Sequence, residues 1–165
     1  MATARHQISC AGKLEALNSG DAYLYLTMRH PSRSDRSQLH PTVTDVRGVD
    51  RIVVEEQGGK IVTGDAHSLP FPSSSFSVVL SVESTHLYSD CGSFFTEAYR
   101  VLECGGLLCW TDLRCDGQEQ LVLRQAATAG FRLVKLEDIT HGVLQGIEKT
   151  SRRYDNILAK VDTYL

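Results

Sequence analysis

The sequence predicts an α/β fold in three layers, with a mostly parallel sheet between helices. Residues 76–82 form a nearly all-apolar, β-prone run, as expected of a strand covered on both faces. Residues 93–102 carry apolar side chains at helical spacing, and residues 107–111 form a second apolar strand candidate. A strand, a helix and a strand in this order are typical of parallel sheets with right-handed crossovers.

The N-terminal part of the chain shows weaker patterns. Residues 13–28 predict a short helix, and residues 29–41 are polar, basic and bounded by prolines, which favours a loop or a disordered linker. We therefore expect a divergent N-terminal segment over residues 1–46, and the α/β domain proper over residues 47–165.

Further elements are predicted on both sides of the central run. Residues 51–55 and 60–63 are short β-branched strand candidates, separated by the turn residues Gln57, Gly58 and Gly59. Residues 118–129 predict a helix that ends at Gly130. Residues 131–136 and a run at 143–148 predict two final strands, which would form an antiparallel pair.

Composition narrows the class of protein. The 165 residues, 42% of them hydrophobic, are enough for one core, and 17 Lys and Arg against 20 Asp and Glu give no cationic excess for a nucleic acid. No apolar run reaches the ~18 residues that cross a bilayer, and there is no secretory signal pattern. We expect a cytoplasmic protein with reduced thiols, because its five cysteines show no CxxC pair or zinc-ligand spacing, and we expect no bound metal.

The most informative stretch lies between residues 61 and 83. A strand runs into Gly64-Asp65-Ala66, which would deliver a carboxylate to the carboxyl edge of the sheet, where open α/β sheets bind ligands. Asp65 could accept a hydrogen bond from an adenine amino group there. A plain turn is the competing interpretation of a Gly-Asp pair after a strand.

Two motifs in this region resemble class I, S-adenosylmethionine-dependent methyltransferases. The first is Gly64-Asp65-Ala66, then Leu69-Pro70-Phe71, Ser75-Phe76 and an apolar strand. The second is Glu97-x-x-Arg100-Val-Leu-x-x-Gly105-Gly106. The resemblance covers about residues 61–112 and implies a Rossmann-like sheet and S-adenosyl-L-methionine as cofactor. Residues 82–88 and 110–114 are similar to small-molecule and lipid methyltransferases such as the phthiotriolone-type enzymes.

The resemblance assigns roles to particular residues. Asp65 and Ala66 would contact the adenine, and Glu83 would lie at the end of the central strand, facing the transferable methyl group. His86 would lie in the adjoining loop, and its ordinary pKa suits a general base. A loop histidine without a catalytic part is the competing interpretation.

Four further side chains are candidates for the acceptor site. Tyr88 and Trp110 could line an apolar pocket, although a lone Trp on a strand is more often a core residue. Asp112 and Arg114 could pair with each other or contact the substrate. A surface ion pair of little energetic consequence is the alternative for these two charges.

The family pattern is broken at its beginning. No glycine before Gly64 has the spacing of the glycine-rich loop that normally holds the methionine part of the cofactor. Asp50 resembles the acidic residue that binds the ribose hydroxyls, with an exposed turn aspartate as the alternative. A sheet that is incomplete at the N-terminus would expose a strand edge, which the first 46 residues, a second copy of the chain or another protein could cover.

We therefore expect methyl transfer to a small, hydrophobic or lipid-like acceptor. The alternative is a catalytically silent, truncated homologue that acts as a binding or regulatory subunit. A nicotinamide-dependent dehydrogenase is disfavoured because its Gly-x-Gly-x-x-Gly fingerprint is absent as well.

Overall fold

The computed structural model describes residues 3–10, 22–27, 45–51, 61–115 and 117–161, with side chains for 45–51, 61–115 and 117–151. The seven strands are β1 (Thr3–Cys10), β2 (Ala22–Thr27), β3 (Asp45–Asp50), β4 (Ile61–Thr63), β5 (Phe76–Val82), β6 (Leu102–Cys115) and β7 (Leu133–Asp138). The helices described are α1 (Cys91–Val101), α2 (Glu119–Thr128) and α3 (Thr140–Val161), with a 3-10 helix at Thr85–Leu87.

All seven strands form one sheet, in the order β4-β3-β2-β5-β6-β1-β7. The five strands from β4 to β6 run parallel to one another, while β1 runs antiparallel to both β6 and β7. The fold is therefore the predicted α/β class, with a mostly parallel, Rossmann-like sheet.

Strand β5 lies in the middle of the sheet, as predicted for residues 76–82. Its buried side chains are Phe76, Val78, Val79 and Ser81, of which Val79 and Ser81 are completely buried. The strand is covered on both faces because Val79 belongs to the main hydrophobic cluster while Val78 belongs to a second, smaller cluster. Burial on both faces explains the lack of hydrophobic alternation in the sequence.

Strand β2 lies between β3 and β5 and is parallel to both, with Tyr23 opposite Val46 on one side and Val78 on the other. It thereby takes the position of the first strand, which we expected to be missing from the sheet. The helix predicted over residues 13–28 is wrong at 22–27, and the remainder of that prediction lies outside the described residues. The chain itself fills the expected gap in the sheet.

The C-terminal part also differs from the prediction. The strand predicted at 143–148 is wrong, because these residues belong to α3. The antiparallel arrangement exists nonetheless, since β1 inserts between β6 and β7. The strand predicted at 51–55 also differs, because β3 occupies Asp45–Asp50 and ends before it. Arg51 forms a bend, and residues 52–55 lie outside the described residues.

The core lies between β5, β6 and helix α1. Asp90 caps α1 by accepting hydrogen bonds from the backbone N–H groups of Gly92 and Ser93, at 2.9 and 3.2 Å. Four α1 residues are completely buried: Phe94, Phe95, Ala98 and Val101. The predicted helices at 93–102 and 118–129 are thus confirmed as α1 and α2, with small shifts at their ends. The division of the chain at residues 46/47 stays a prediction.

Candidate active site at the carboxyl edge of the sheet

Three acidic residues follow parallel strands where those strands end. Asp50 closes β3, Asp65 follows β4 by two residues, and Glu83 directly follows β5. Because β4, β3, β2 and β5 are all parallel, the three residues lie at the same edge of the sheet. Strands β3 and β2 separate Asp65 from Glu83.

Asp65 forms a tight turn with His67. Its Oδ1 accepts hydrogen bonds from the His67 backbone N–H at 2.9 Å and from His67 Nδ1 at 2.6 Å. These two hydrogen bonds hold the pKa of the Asp65 carboxyl below its ordinary value. The carboxylate therefore both organises a turn and stands charged at the sheet edge, so the two interpretations made from the sequence are compatible.

The two family motifs are joined through Glu97 and Arg100. Glu97 Oε2 accepts a hydrogen bond from the backbone N–H of Leu69 at 2.7 Å, and Arg100 donates to the carbonyl oxygens of Leu69 and Phe71 at 3.0 and 2.8 Å. Glu97 and Arg100 also pair with each other at 2.7 Å. The second motif thus fixes the backbone of the first, which explains why the two motifs occur together.

Glu83 turns the chain out of the central strand. It is not a glycine, yet its φ is +48°, in the left-handed region that most side chains avoid. Its backbone N–H donates to the carbonyl of Thr111 at 2.7 Å, which ties the turn to β6. Strained backbone of this kind clusters at functional sites, and here it leads directly into the 3-10 helix that carries Thr85 and His86.

His86 is paired with a buried carboxylate. His86 Nδ1 lies 2.5 Å from Asp112 Oδ1, and Asp112 is completely buried, whereas the His86 side chain keeps 27% of its surface exposed. Asp112 also accepts hydrogen bonds from Thr85 Oγ1, Arg114 Nη2 and the Leu113 backbone N–H. Because a carboxylate oxygen can only accept from the imidazole, Nδ1 of His86 is the donor in this contact and Nε2 is left as the accepting nitrogen.

Thr85 and Arg114 complete this buried network. Thr85 Oγ1 accepts from Trp110 Nε1 at 2.6 Å and from Arg114 Nη2 at 2.7 Å while it donates to Asp112. Arg114 and Asp112 form an ion pair at 2.9 Å, and both residues are buried. The surface ion pair considered from the sequence is therefore wrong, because the two charges lie inside the protein on the inward face of β6.

A cleft of about 600 Å³ opens beside this network. Its lining is His86, Tyr88, Ser89, Asp90, Cys91, Leu113, Arg114, Cys115, Gln118, Leu121, Val122 and Gln125. One part of the wall is polar, and Leu113, Leu121 and Val122 supply an apolar part. Such a mixture of apolar surface and a few polar groups is common in small-molecule sites.

The residues predicted from the sequence fall into three groups. His86, Tyr88 and Arg114 line the cleft. Asp50, Asp65, Ala66 and Glu83 lie at the sheet edge and are not among the residues that line this cleft. Trp110 is a core residue, 2% exposed, that packs edge-on against Phe95 at 6.0 Å between ring centroids.

Tyr88 connects the cleft to the turn at Asp65. Its ring packs against His67 at 5.2 Å and against Phe94 at 5.4 Å between centroids. Burial is the main cause that raises the pKa of the Tyr88 hydroxyl above its ordinary value. The phenol therefore stays neutral and can act as a hydrogen-bond donor in the cleft wall.

The pairing of His86 with Asp112 was not predicted. The two residues lie 26 positions apart on different elements. The alternation of Trp110, Asp112 and Arg114 along one strand was the available signal, because side chains at i, i+2 and i+4 share a face. A carboxylate on the same strand face as a core Trp is expected to be buried and hydrogen-bonded.

The fold is that of class I methyltransferases. A family model described as "Methyltransferase domain" matches residues 39–110. Residues 39–110 thus carry the pattern of this family.

Curated relatives are consistent with that match. The chain is 40% identical over 94 residues to phthiotriol/phenolphthiotriol dimycocerosates methyltransferase 1 of Mycobacterium ulcerans, covering 57% of this chain and 35% of the relative. It is 36% identical over 104 residues to a fatty-acid O-methyltransferase of Mycolicibacterium smegmatis, covering 63% and 38%. The chain thus spans little more than a third of the length of these two relatives.

The fold is also that of solved structures. The crystal structure of the [4+2]-cyclase SpnF matches with a TM-score of 0.58 and 20% identity, covering 72% of this chain and 53% of that chain. That match concerns the fold alone, and the matched protein is a cyclase. Activity must therefore be argued from the site. Among the described residues, no helix combines the length and the apolar character required to cross a bilayer.

Proposed function

We propose that this chain forms part of an S-adenosylmethionine-dependent methyltransferase, with the cytoplasm as its expected compartment, that methylates a hydroxyl group of a small, lipid-like molecule. The observation that carries the proposal is the pairing of His86 with the buried Asp112 at the wall of a cleft beside the sheet edge. The match of residues 39–110 to the methyltransferase family supports the reaction type.

His86 acts as the general base in this proposal. Asp112 accepts a hydrogen bond from Nδ1 of His86 and so holds the imidazole in the tautomer whose Nε2 can take a proton from an acceptor hydroxyl. Arg114 and Thr85 fix Asp112 in turn. A hydroxyl must lose its proton as it becomes a nucleophile, whereas a carboxylate acceptor needs no base, so the dyad favours a hydroxyl.

The cofactor supplies an electrophilic methyl group on a sulfonium centre. Asp50 is the candidate for its ribose hydroxyls, while Asp65 and Ala66 are the candidates for its adenine. The donor set fits this half of the cofactor, since two carboxylates follow neighbouring parallel strands at one edge and hydrogen bonds from His67 keep Asp65 charged. Glu83 is the candidate residue nearest the transferred methyl group.

The lining of the cleft supports an acceptor with apolar parts. Leu113, Leu121 and Val122 offer apolar surface next to His86 and Tyr88. The names of the two curated relatives point to lipid acceptors in those proteins. We propose the same class of acceptor here, with Tyr88 and Arg114 as its polar contacts.

Two measurements test this function. The first is isothermal titration of S-adenosylmethionine into the chain. Asp65→Asn is the site variant and Asp45→Asn is the matched control. We expect the unmodified chain to bind with micromolar affinity, and only Asp65→Asn to bind more weakly.

The second is transfer of a radiolabelled methyl group to paired acceptors, a hydroxy-fatty ester and the corresponding fatty acid. Methylation of the free acid alone would contradict a hydroxyl acceptor.

A catalytically silent binding subunit is the second candidate. It is favoured by the segment after β2, because the sequence contains no glycine between Gly20 and Gly48, where the glycine-rich loop is expected. The same titration separates the two candidates. No detectable heat at millimolar S-adenosylmethionine, from a chain whose circular dichroism shows a folded protein, would favour the silent subunit.

A further inference from the structure

Strand β7 forms one edge of the sheet. It pairs with β1 on its inner side, and no strand among the described parts of the chain pairs with its outer side. Leu133 and Val134 are 46% and 43% exposed on this strand. Exposed apolar edge strands are normally covered or protected by charges, because their unpaired backbone groups can join another strand.

The start of helix α3 carries a second exposed apolar surface. The helix begins two residues after β7 ends, and Leu144 and Ile147 are both at least half exposed on it. Ile147 follows Leu144 by three residues, and steps that alternate between four and three residues lead on in the sequence to Ser151, Tyr154, Leu158 and Val161. A stripe with this spacing is typical of a helix that packs against another helix.

The charges on β7 are complementary to their own two-fold image. Lys135 and Glu137 lie on the same face of the strand, and Lys135 Nζ lies 2.5 Å from Glu137 Oε2. If two β7 strands pair antiparallel with Leu136 on the two-fold axis, Lys135 of each copy lies opposite Glu137 of the other. Shifting the register by one residue in one direction places Lys135 opposite Leu136, and shifting it in the other places Glu137 opposite Leu136.

We infer that β7 pairs with β7 of a second copy of this chain, in an antiparallel register centred on Leu136. The pairing satisfies the outer backbone groups of both strands and continues the sheet across the two-fold axis. It places Leu133 of one copy opposite Ile139 of the other, immediately before α3. The exposed apolar residues of the strand and of the helix thus meet across the same interface.

A charge-swap experiment tests this dimer in the full chain. Analytical ultracentrifugation over a concentration series is expected to give twice the monomer mass for the unmodified chain. Lys135→Glu and Glu137→Lys each place like charges opposite one another, and each is expected to raise the dimer dissociation constant at least tenfold. Lys149→Glu, on the exposed side of α3, is the matched charge control and is expected to dimerise as the unmodified chain does.

Mixing the two single variants gives the decisive result. In a mixed dimer, the substituted position of one variant lies opposite the substituted position of the other, so a glutamate again faces a lysine at both charge pairs. A heterodimer is therefore expected to form preferentially, because each variant alone dimerises at least tenfold more weakly. Native mass spectrometry with one variant labelled with nitrogen-15 detects it. The double variant Lys135→Glu/Glu137→Lys is expected to dimerise again.

Three outcomes would overturn this dimer. A monomer at all concentrations does so, as does normal dimerisation of both single variants. The proposal is also contradicted if the two single variants are folded but form no mixed dimer. This holds whether the outer edge of β7 is then unpaired or binds another protein. The circular dichroism of each variant establishes that it is folded.

Discussion

The imidazole of His86 lies with Nδ1 2.5 Å from the carboxylate of Asp112, a residue with no solvent exposure at all. A charged group in such a position requires several partners. Asp112 has them in Arg114, Thr85 and the backbone of Leu113. The arrangement separates two functions, because the buried end carries the fixed charge while the partly exposed imidazole meets the cleft.

Replacement of His86 tests its assignment as the base. His86→Gln is expected to lower kcat for hydroxyl acceptors by about 10²- to 10⁴-fold, the usual contribution of a positioned general base. The affinity for S-adenosylmethionine is expected to stay unchanged in the titration. His141→Gln, an exposed histidine of α3, serves as the control. Equal loss of activity in both variants would contradict the assignment.

Removal of the buried carboxylate is expected to destabilise the fold. Asp112→Ala leaves Arg114 buried without its counter-charge, and breaking a buried pair in this way costs about 3–5 kcal/mol. The matched control is Asp45→Ala, since the pair of Asp45 with Arg47 is largely exposed and is expected to contribute less than about 1 kcal/mol. Urea unfolding measures both. A similar small loss for the two variants would show that Asp112 is not part of a coupled network.

Thr85 connects three side chains through one hydroxyl group. Thr85→Val keeps the shape but removes the acceptor for Trp110 Nε1 and Arg114 Nη2, so a loss of about 1–3 kcal/mol in the free energy of unfolding is expected. Thr96→Val is the control, because the hydroxyl of Thr96 bonds only to the carbonyl of Gly92 on an exposed helix face. Nitrogen-15 spectra of His86 are expected to show a shifted tautomer ratio in Thr85→Val alone.

The pairing of Glu97 with Arg100 predicts a dependence of stability on pH. Hydrogen bonds from the Arg100 side chain are the main cause that lowers the pKa of Glu97 in the folded protein. A lowered carboxyl pKa adds stability above the unfolded value of about 4.3, and this contribution is lost as the pH falls through the folded pKa. The difference in unfolding free energy between the native chain and Glu97→Gln should therefore be constant from pH 7 to 5. It should shrink below about pH 4.3, and a difference that grows on acidification would contradict the argument.

Sequence patterns predicted the centre of the fold well. Residues 76–82 are mostly apolar and supply buried side chains to both faces of the sheet, as expected of a central strand, and the helix at 93–102 has a clear apolar face. Short runs were less decisive. The apolar residues of 143–148 are compatible with the two-residue period of a strand and with the 3.6-residue period of a helix. The helical period is clear only when the whole 22-residue helix α3 is considered.

The position of β2 could not be predicted from local pattern. Ala-Tyr-Leu-Tyr-Leu-Thr is compatible with a helix or a strand, and its pairing with β3 and β5 is a tertiary effect. For the site, the motifs predicted which residues stand at the sheet edge. They did not predict the burial of Asp112, since burial depends on what packs over β6.

The position of β1 has a consequence for how the polypeptide acquires its shape. The strand Thr3–Cys10 pairs with β6 (Leu102–Cys115) on one side and with β7 (Leu133–Asp138) on the other. During synthesis, residues 3–10 must therefore wait for residues 102–138, which are made later, before their ladder can close. Contacts so distant along the chain slow folding, because the entropy of closing the loop is lost before any contact compensates for it. Nascent chains of this protein are expected to depend on chaperones until β7 has left the ribosome.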